Sequence, residues 1–395
     1  MIQPIKIEDF DEYIRQGEPD KKEKAYIWQT AIGLQAVDGL STSEYLKEAA
    51  KRNIEGEITV DEVGRLIKSY YQSKTQREPD DDEKEEADHA AANISKILSA
   101  RTLDFSTAGY VSLHRRIFEG VFKHAGKIRD YDITKKEWVL NGGTVNYLNS
   151  EDLRRALDYD IEQEREFSYK GLSTDEMIAH ITRFVSGIWQ IHAFGEGNTR
   201  TTAVFTIQYL RSIGFDINND LFAKHSWYFR NALVRANYKN ARLGIDYSPI
   251  YLERFFRNLL LGEEHDLRNR IMHIDWEKVG AEEQFQSANH EVKSAKVGEE
   301  LPPKCKNCTL EEVAVLRIVQ KSPSATQKEI AAEIGKSERT VKSITIALQE
   351  KNILQRVMAS VMDIGVLLKI NNYISSVFLR KLKWREIAKS ARKWC

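Results

Sequence analysis

A chain of 395 residues with 42% hydrophobic and 30% charged side chains has room for two or three domains with ordinary soluble cores. Its 59 basic side chains balance 59 acidic ones, so the whole molecule is neither a polycation for nucleic acid nor a binder of anionic membrane surface. Three cysteines build no disulfide framework, no apolar run approaches the roughly 20 residues that span a bilayer, and MIQPIKIEDFDEY lacks the layout of a secretory signal; a reducing cytoplasm and no membrane partner are expected.

Seven prolines and apolar residues at helical spacing predict a mainly α protein. Residues 20–75 read as helices, clearest in YIWQTAIGLQAV and EVGRLIKSYYQ, with Thr59 capping the second. The acidic run REPDDDEKEEAD, residues 77–88, reads as a solvated linker or a helix start. Helices resume at HAAANISKILSA and GYVSLHRRIFEGVF. In TKKEWVLNGGTVNYL, β-type residues flank Asn141-Gly142-Gly143, a short-hairpin signal. Helices then continue to about residue 262, followed by a polar, less patterned stretch and a small separate unit from Cys305.

The informative stretch is MIAHITRFVSGIWQIHAFGEGNTRTTAVF. Apolar residues at 177, 178, 181, 184, 185, 188, 189 and 191 form a buried helical stripe ending at His192. FGEGN forces a turn, and Asn198 is placed to cap a second helix. A glycine turn at a helix start offers backbone N–H groups and a positive dipole end to phosphate, and Arg200 adds a planar fork. Glu196 would repel phosphate unless a divalent cation bridges the two. His192 can then take a proton from an attacking hydroxyl. The pattern points to a magnesium-bound nucleotide.

HAFGEGNTR resembles the Fic-family motif H-x-F-x-[DE]-G-N-G-R-x-x-R, and the resemblance covers about residues 95–262. It implies a helical bundle with a short β-hairpin flap, His192 as general base and Phe194 as a buried anchor. Glu196 would be the magnesium ligand, and Gly195, Gly197, Asn198, Thr199 and Arg200 would hold the phosphates of ATP. The implied reaction is AMPylation of a Ser, Thr or Tyr hydroxyl on a protein target, possible self-modification included. The hairpin, with Trp138, Val139, Leu140, Thr144 and Val145, resembles the flap that docks the target segment. Tyr228 and Phe229 are candidates for an adenine wall, although aromatics at this spacing are more often core. Two positions depart from the motif: Thr199 replaces its second glycine, and Ala203 its second arginine, which in the family holds the γ-phosphate. Transfer of another phosphate-linked group therefore stays open.

TAIGLQAVDGLSTSEYLKEAAKRNIEGEITVDEV resembles the antitoxin module that restrains Fic toxins, whose inhibitory segment reads [ST]-x-x-x-E-[GN]. Leu34, Asp38 and Gly39 fill those places here. In the family the glutamate pairs with the motif's second arginine. Asp38 is one methylene shorter and position 203 is alanine, so the module is expected to inhibit weakly or through another contact, plain packing being the alternative.

LEEVAVLRIVQKSPSATQKEIAAEIGKSERTVKSITIALQEKNILQRV resembles a winged helix-turn-helix, with Thr326 as a cap, Gly335 at the turn and Arg339, Thr340 and Lys342 placed to meet DNA. No convincing wing hairpin follows Arg356. The tail is basic and amphipathic, and CKNC at 305–308 lacks the second ligand pair a zinc site requires. The resulting partition is an antitoxin-like module at 1–76, an acidic linker or helix start at 77–94, a Fic domain at 95–262, a linker at 263–304, the winged helix at 305–358 and the tail at 359–395. The expected partners are a protein target and, through the C-terminal domain, DNA; a homodimer stays open. A DNA-binding regulator whose Fic domain senses nucleotide or is inactive is the competing function.

Overall fold

Several helix starts in this chain are marked by side chains that satisfy the first free N–H groups. Thr59 accepts from the Glu62 amide at 3.2 Å while the Glu62 carboxylate takes the Thr59 amide at 2.7 Å, the reciprocal cap that opens the helix Val60–Ser73. A computed structural model describes residues 10–215, 217, 220–276, 309–322, 325–351, 353–357 and 367–370. These fall into two packed units, one within 1–168 and 178–294, the other within 169–177 and 295–395. The chain is mainly α.

The first unit opens with α1 (Asp11–Gln16), α2 (Pro19–Gly33) and a 3-10 turn over Leu34–Asp38. Then follow α3 (Glu44–Glu55), α4 (Val60–Ser73), α5 (Asp81–Ser99) and α6 (Thr107–Ile117). The acidic run forms the first turns of α5, where Asp81, Asp82 and Glu83 meet the positive end of the helix dipole. Buried Ala87, Ala90 and Ala91 let α2 and α4 approach α5 closely. Trp28, fully buried, donates to Asn53 Oδ1 at 2.9 Å and ties α2 to α3. Gly33 at the end of α2 touches the backbone of residue 223; a Cβ there would lie 2.5 Å from the Ala223 Cα. That close approach fixes where the turn carrying Asp38 begins.

The rest of the unit comprises α7 (Leu153–Glu166), α8 (Thr174–Ile191) from residue 178 onward, α9 (Asn198–Ser212), α10 (Leu221–Lys224), α11 (Ser226–Ala236) and α12 (Ile250–Leu261). All eight apolar positions of the predicted stripe on α8 are buried. In α9 every side chain from Asn198 to Leu210 is buried, making it the central helix.

Two expectations change here. The flap is not a β-hairpin: residues 138–140 form a 3-10 turn, and the loop is closed by Glu137 N–H to Gly143 O at 2.9 Å. Asn141 and Gly142 do adopt the positive φ values, 51° and 81°, that the Asn-Gly signal promised. Their flanks cannot alternate, however, because Val139, Leu140 and Val145 are all buried and the Val139 carbonyl accepts from the Ile274 amide at 3.0 Å. For the same reason residues 263–276 are packed structure and not a linker: Asn269 accepts from Asn231 at 2.8 Å, and the Ile271 carbonyl from Tyr251 at 3.0 Å.

In the second unit α13 (Leu310–Lys321), α14 (Gln327–Glu333) and α15 (Glu338–Glu350) surround a core that includes Val315, Leu316, Ile330, Val341 and Leu348. Thr326 caps α14 as expected, and Gly335 has φ 65° in the turn before α15. A wing pair is present after all. Strand β1 (Leu354–Val357) runs antiparallel to β2 (Leu367–Ile370), with Leu354 opposite Ile370 and Val357 opposite Leu367. The intervening residues 358–366 are too many for a short-turn signal, so the pair leaves no such mark in the sequence. CKNC and the tail beyond residue 370 lie outside the described residues. Among the described residues no helix is long and apolar enough to cross a membrane.

Candidate active site

Helix α8 stops at Ile191, and His192 follows with φ 52°, a left-handed conformation that few non-glycine residues hold without compensating contacts. Its ring is buried, 4.1 Å from the Tyr147 ring and 5.3 Å from that of Trp189. Nδ1 lies 3.3 Å from the Trp189 carbonyl. A carbonyl only accepts, so Nδ1 carries the hydrogen and Nε2 keeps its lone pair. Nε2 is buried and has no partner among the described residues. Burial, and then the charge of Lys135, push the imidazole well below its ordinary pKa, leaving it neutral at physiological pH. Buried Arg129 holds the main chain here, donating to the His192 carbonyl at 2.8 Å, to Tyr131 O at 2.6 Å and to Leu148 O.

The turn after His192 is built around Phe194, which is fully buried and stacks on His114 at 3.8 Å. The Gly126 amide donates to His114 Nδ1 at 2.8 Å, so the opposite nitrogen bears the hydrogen and donates to the Glu196 carbonyl at 3.0 Å. Burial lowers the His114 pKa to about 4. Asn198 is not the N-cap of α9. Gly197, at φ 74°, holds that place, and Asn198 closes the turn by accepting from the Phe194 amide at 2.9 Å and donating to its carbonyl at 2.6 Å. A side chain at 197 would enter the Phe118 ring, since a Cβ there falls 2.3 Å from it. Thr199, the departure from the motif, accepts from Trp189 Nε1 at 3.0 Å and so joins α9 to α8. The amides of residues 195–199 donate to no group among the described residues. Glu196 is exposed, its carboxylate 3.1 Å from Lys135 Nζ.

Arg200 is where sequence and structure part most. It is buried, its guanidinium 4.7 Å over the Phe118 ring. Nη1 donates to Gln35 Oε1 at 3.0 Å, Nη2 to Glu86 Oε1 at 2.7 Å, and Nε lies 2.7 Å from Asp38 Oδ2. That last contact is a charge contact, because Nε–H finds no aligned acceptor. Asp38 therefore pairs with the motif's first arginine and not with position 203, where Ala203 is buried. The same carboxylate reaches Arg230 Nη1 at 3.2 Å through Oδ1. Arg230 also donates to Val37 O at 2.7 Å and to buried Glu137 at 3.2 Å. Glu137 accepts from Tyr147 at 3.1 Å, and Tyr147 covers the His192 ring.

Of the other residues singled out, Leu34 is buried and Gly39 ends the 3-10 turn at φ 78°. Tyr228 and Phe229 are core: both are fully buried, and the Tyr228 hydroxyl donates to Tyr251 O at 3.1 Å. Trp138 is 47% exposed on the flap loop, where Thr144 is half-buried. In the second unit Arg339 and Lys342 are exposed, and half-buried Thr340 donates its amide to the Ser337 cap at 3.2 Å. Arg129, His114, Tyr147, Glu86, Gln35, Glu137 and Arg230 carry no local motif. They come together only through tertiary packing.

Residues 104–210, from just before α6 to the body of α9, match the Fic/DOC family, and residues 312–355 match winged helix-turn-helix DNA-binding domains. The fold class is thus a Fic domain joined in one chain to a winged helix. The chain carries a Fic/DOC domain over residues 104–210. Among similar proteins, the protein adenylyltransferase VbhT of Bartonella schoenbuchensis is 25% identical over 177 residues. That match spans 45% of this chain but only 35% of the relative, about a third of its length. A Fic family protein of known structure from Desulfovibrio desulfuricans G20 aligns over 93% of this chain and 94% of its own, at 11% identity and a TM-score of 0.42.

Proposed function

We propose that this protein transfers AMP from ATP to a hydroxyl of a protein target. The observation that carries the reading is the buried, unpartnered Nε2 lone pair of His192 beside a turn whose amides have no acceptor within the protein. An acceptor hydroxyl attacks the α-phosphorus, its proton passes to His192 Nε2, and the bond to pyrophosphate breaks. The amides of 195–199 and Arg200 bind phosphate oxygens. The exposed Glu196 carboxylate fits a cation that takes its remaining ligands from water and phosphate; Lys135 must release it first. Such a metal, when bound, neutralises phosphate charge.

In the described arrangement Arg200 is engaged by Asp38, Gln35 and Glu86, and Tyr147 covers His192. This supports a restrained state held by the N-terminal module. The test is incubation of full-length wild type, Asp38→Ala and His192→Ala with α-labelled ATP, magnesium and cell lysate. Label on a target, stronger for Asp38→Ala and lost with His192→Ala, is the expected result. Transfer that persists without His192, or none from Asp38→Ala, overturns the reading. The winged helix and its exposed Arg339 and Lys342 favour DNA as a second partner.

A further inference from the structure

The 3-10 turn over Leu34–Asp38 presents four oxygens to two guanidiniums. Gln35 Oε1 and Asp38 Oδ2 face Arg200, and Val37 O and Asp38 Oδ1 face Arg230. The amide of Gln35 is itself oriented by donation to Ala31 O at 2.8 Å, so its oxygen is aimed by the fold. Each guanidinium also keeps a carboxylate that does not belong to this turn: Glu86 for Arg200, Glu137 for Arg230. Nε of both arginines is buried with no hydrogen-bond partner among the described residues. A set of clustered oxygens carrying negative charge, held between two planar forks, is the chemistry of a polyphosphate tail.

On α9 the helical neighbour of Arg200 three residues on is Ala203, which is buried and has no polar atom to offer. Arg230 enters from α11 and reaches the Asp38 oxygen adjacent to the one that meets Arg200. It is steadied there by Glu137 and by the Trp227 ring, 5.5 Å from its guanidinium. We propose that Arg230 is the second phosphate-binding arginine of this site, taking the phosphates beyond the α-position once the 3-10 turn withdraws. The inference rests on the nucleotide-transfer reading above and adds to it the residue that distinguishes a triphosphate from a monophosphate. Glu137 and Tyr147 link that residue to the cover over His192.

The test uses full-length protein, titrated calorimetrically with ATP, ADP and AMP in magnesium buffer. Asp38→Ala supplies the open background, into which Arg230→Gln and Arg230→Lys are introduced. A charge-assisted hydrogen bond supports an expected 10- to 100-fold loss of ATP affinity for Arg230→Gln, about 3-fold or less for AMP. Arg230→Lys, which keeps the charge and loses the fork, should fall between. A merely structural arginine would weaken both nucleotides alike, so the ratio of ATP to AMP affinity is the deciding readout. An unchanged ratio in an Asp38→Ala protein that binds ATP overturns the role of Arg230 and leaves the transfer reading standing. Failure of Asp38→Ala to bind any nucleotide overturns that reading instead. If Arg230→Gln does not fold by circular dichroism, the ratio for Arg230→Lys decides: lowered supports the proposal, unchanged refutes it.

Discussion

Replacing Asp38 with alanine removes one carboxylate that meets two arginines, at 2.7 and 3.2 Å. Exposed ion pairs contribute about 0.2–1 kcal/mol, and breaking a buried one costs about 3–5 kcal/mol. The Asp38 side chain is 26% exposed, and Arg200 keeps Glu86 while Arg230 keeps Glu137, so a loss of about 2 kcal/mol falls between those limits. A ligand that needs Arg200 must first displace Asp38 in the wild type. Removing that competition should tighten ATP about 30-fold, at roughly 1.4 kcal/mol per tenfold. The two effects have opposite signs: the unliganded variant melts several degrees lower, yet gains more from added ATP. Calorimetric titration and thermal melts with and without ATP measure both. ATP affinity that is unchanged, or that falls together with stability, would mean that Asp38 only packs the module in place.

His114 has a folded pKa of about 4 against 6.5 for the unfolded chain, so its contribution is complete above pH 6.5 and lost as pH falls toward 4. By pH 5 that is about 2 kcal/mol. Burial of neutral His192 acts in the same direction. Urea midpoints at pH 7 and pH 5 should therefore separate less in His114→Gln than in the wild type, and equal separation contradicts the assignment. Gly197→Ala should cost about 2–4 kcal/mol, because φ is 74° and the new Cβ strikes the Phe118 ring. Gly56→Ala, with φ 83° but open space, should cost only about 1 kcal/mol; matching losses in thermal melts would dismiss the clash. Fluorescence anisotropy with duplex DNA should show the salt slope reduced by about 1 in Arg339→Ala and again in Lys342→Ala; slopes left intact would remove those residues from the interface.

What was legible in the sequence is what neighbouring residues decide. The α8 stripe, the glycine turn, the burial of Phe194 and the caps at Thr59 and Thr326 are short-range patterns, and all are present. The flap illustrates the limit: Asn141-Gly142 dictates its own backbone, but burial of Val139, Leu140 and Val145 decides that no ladder flanks it. Asp38 is legible as the acidic residue of the segment that resembles the inhibitory motif, but its partner is not. Motif position marks 203, whereas the geometry of the 3-10 turn selects Arg200 and brings in Arg230, a residue 192 positions away in sequence. In SWYFRNALVRANY the aromatics Tyr228 and Phe229 are core, and Arg230, the next residue, carries the charge that meets Asp38. Long-range ion pairs leave no periodicity to read.

Because Asp38 belongs to the same polypeptide as Arg200, its local concentration is fixed by a chain already folded around Gly33 and does not change with dilution. A restraint supplied by a separate protein ends when that protein is degraded or dissociates. A tethered one answers only to a competitor for the arginines or to local melting of five residues, Leu34–Asp38. Release of such a restraint by local melting would be a first-order event, independent of how much of the protein the cell makes.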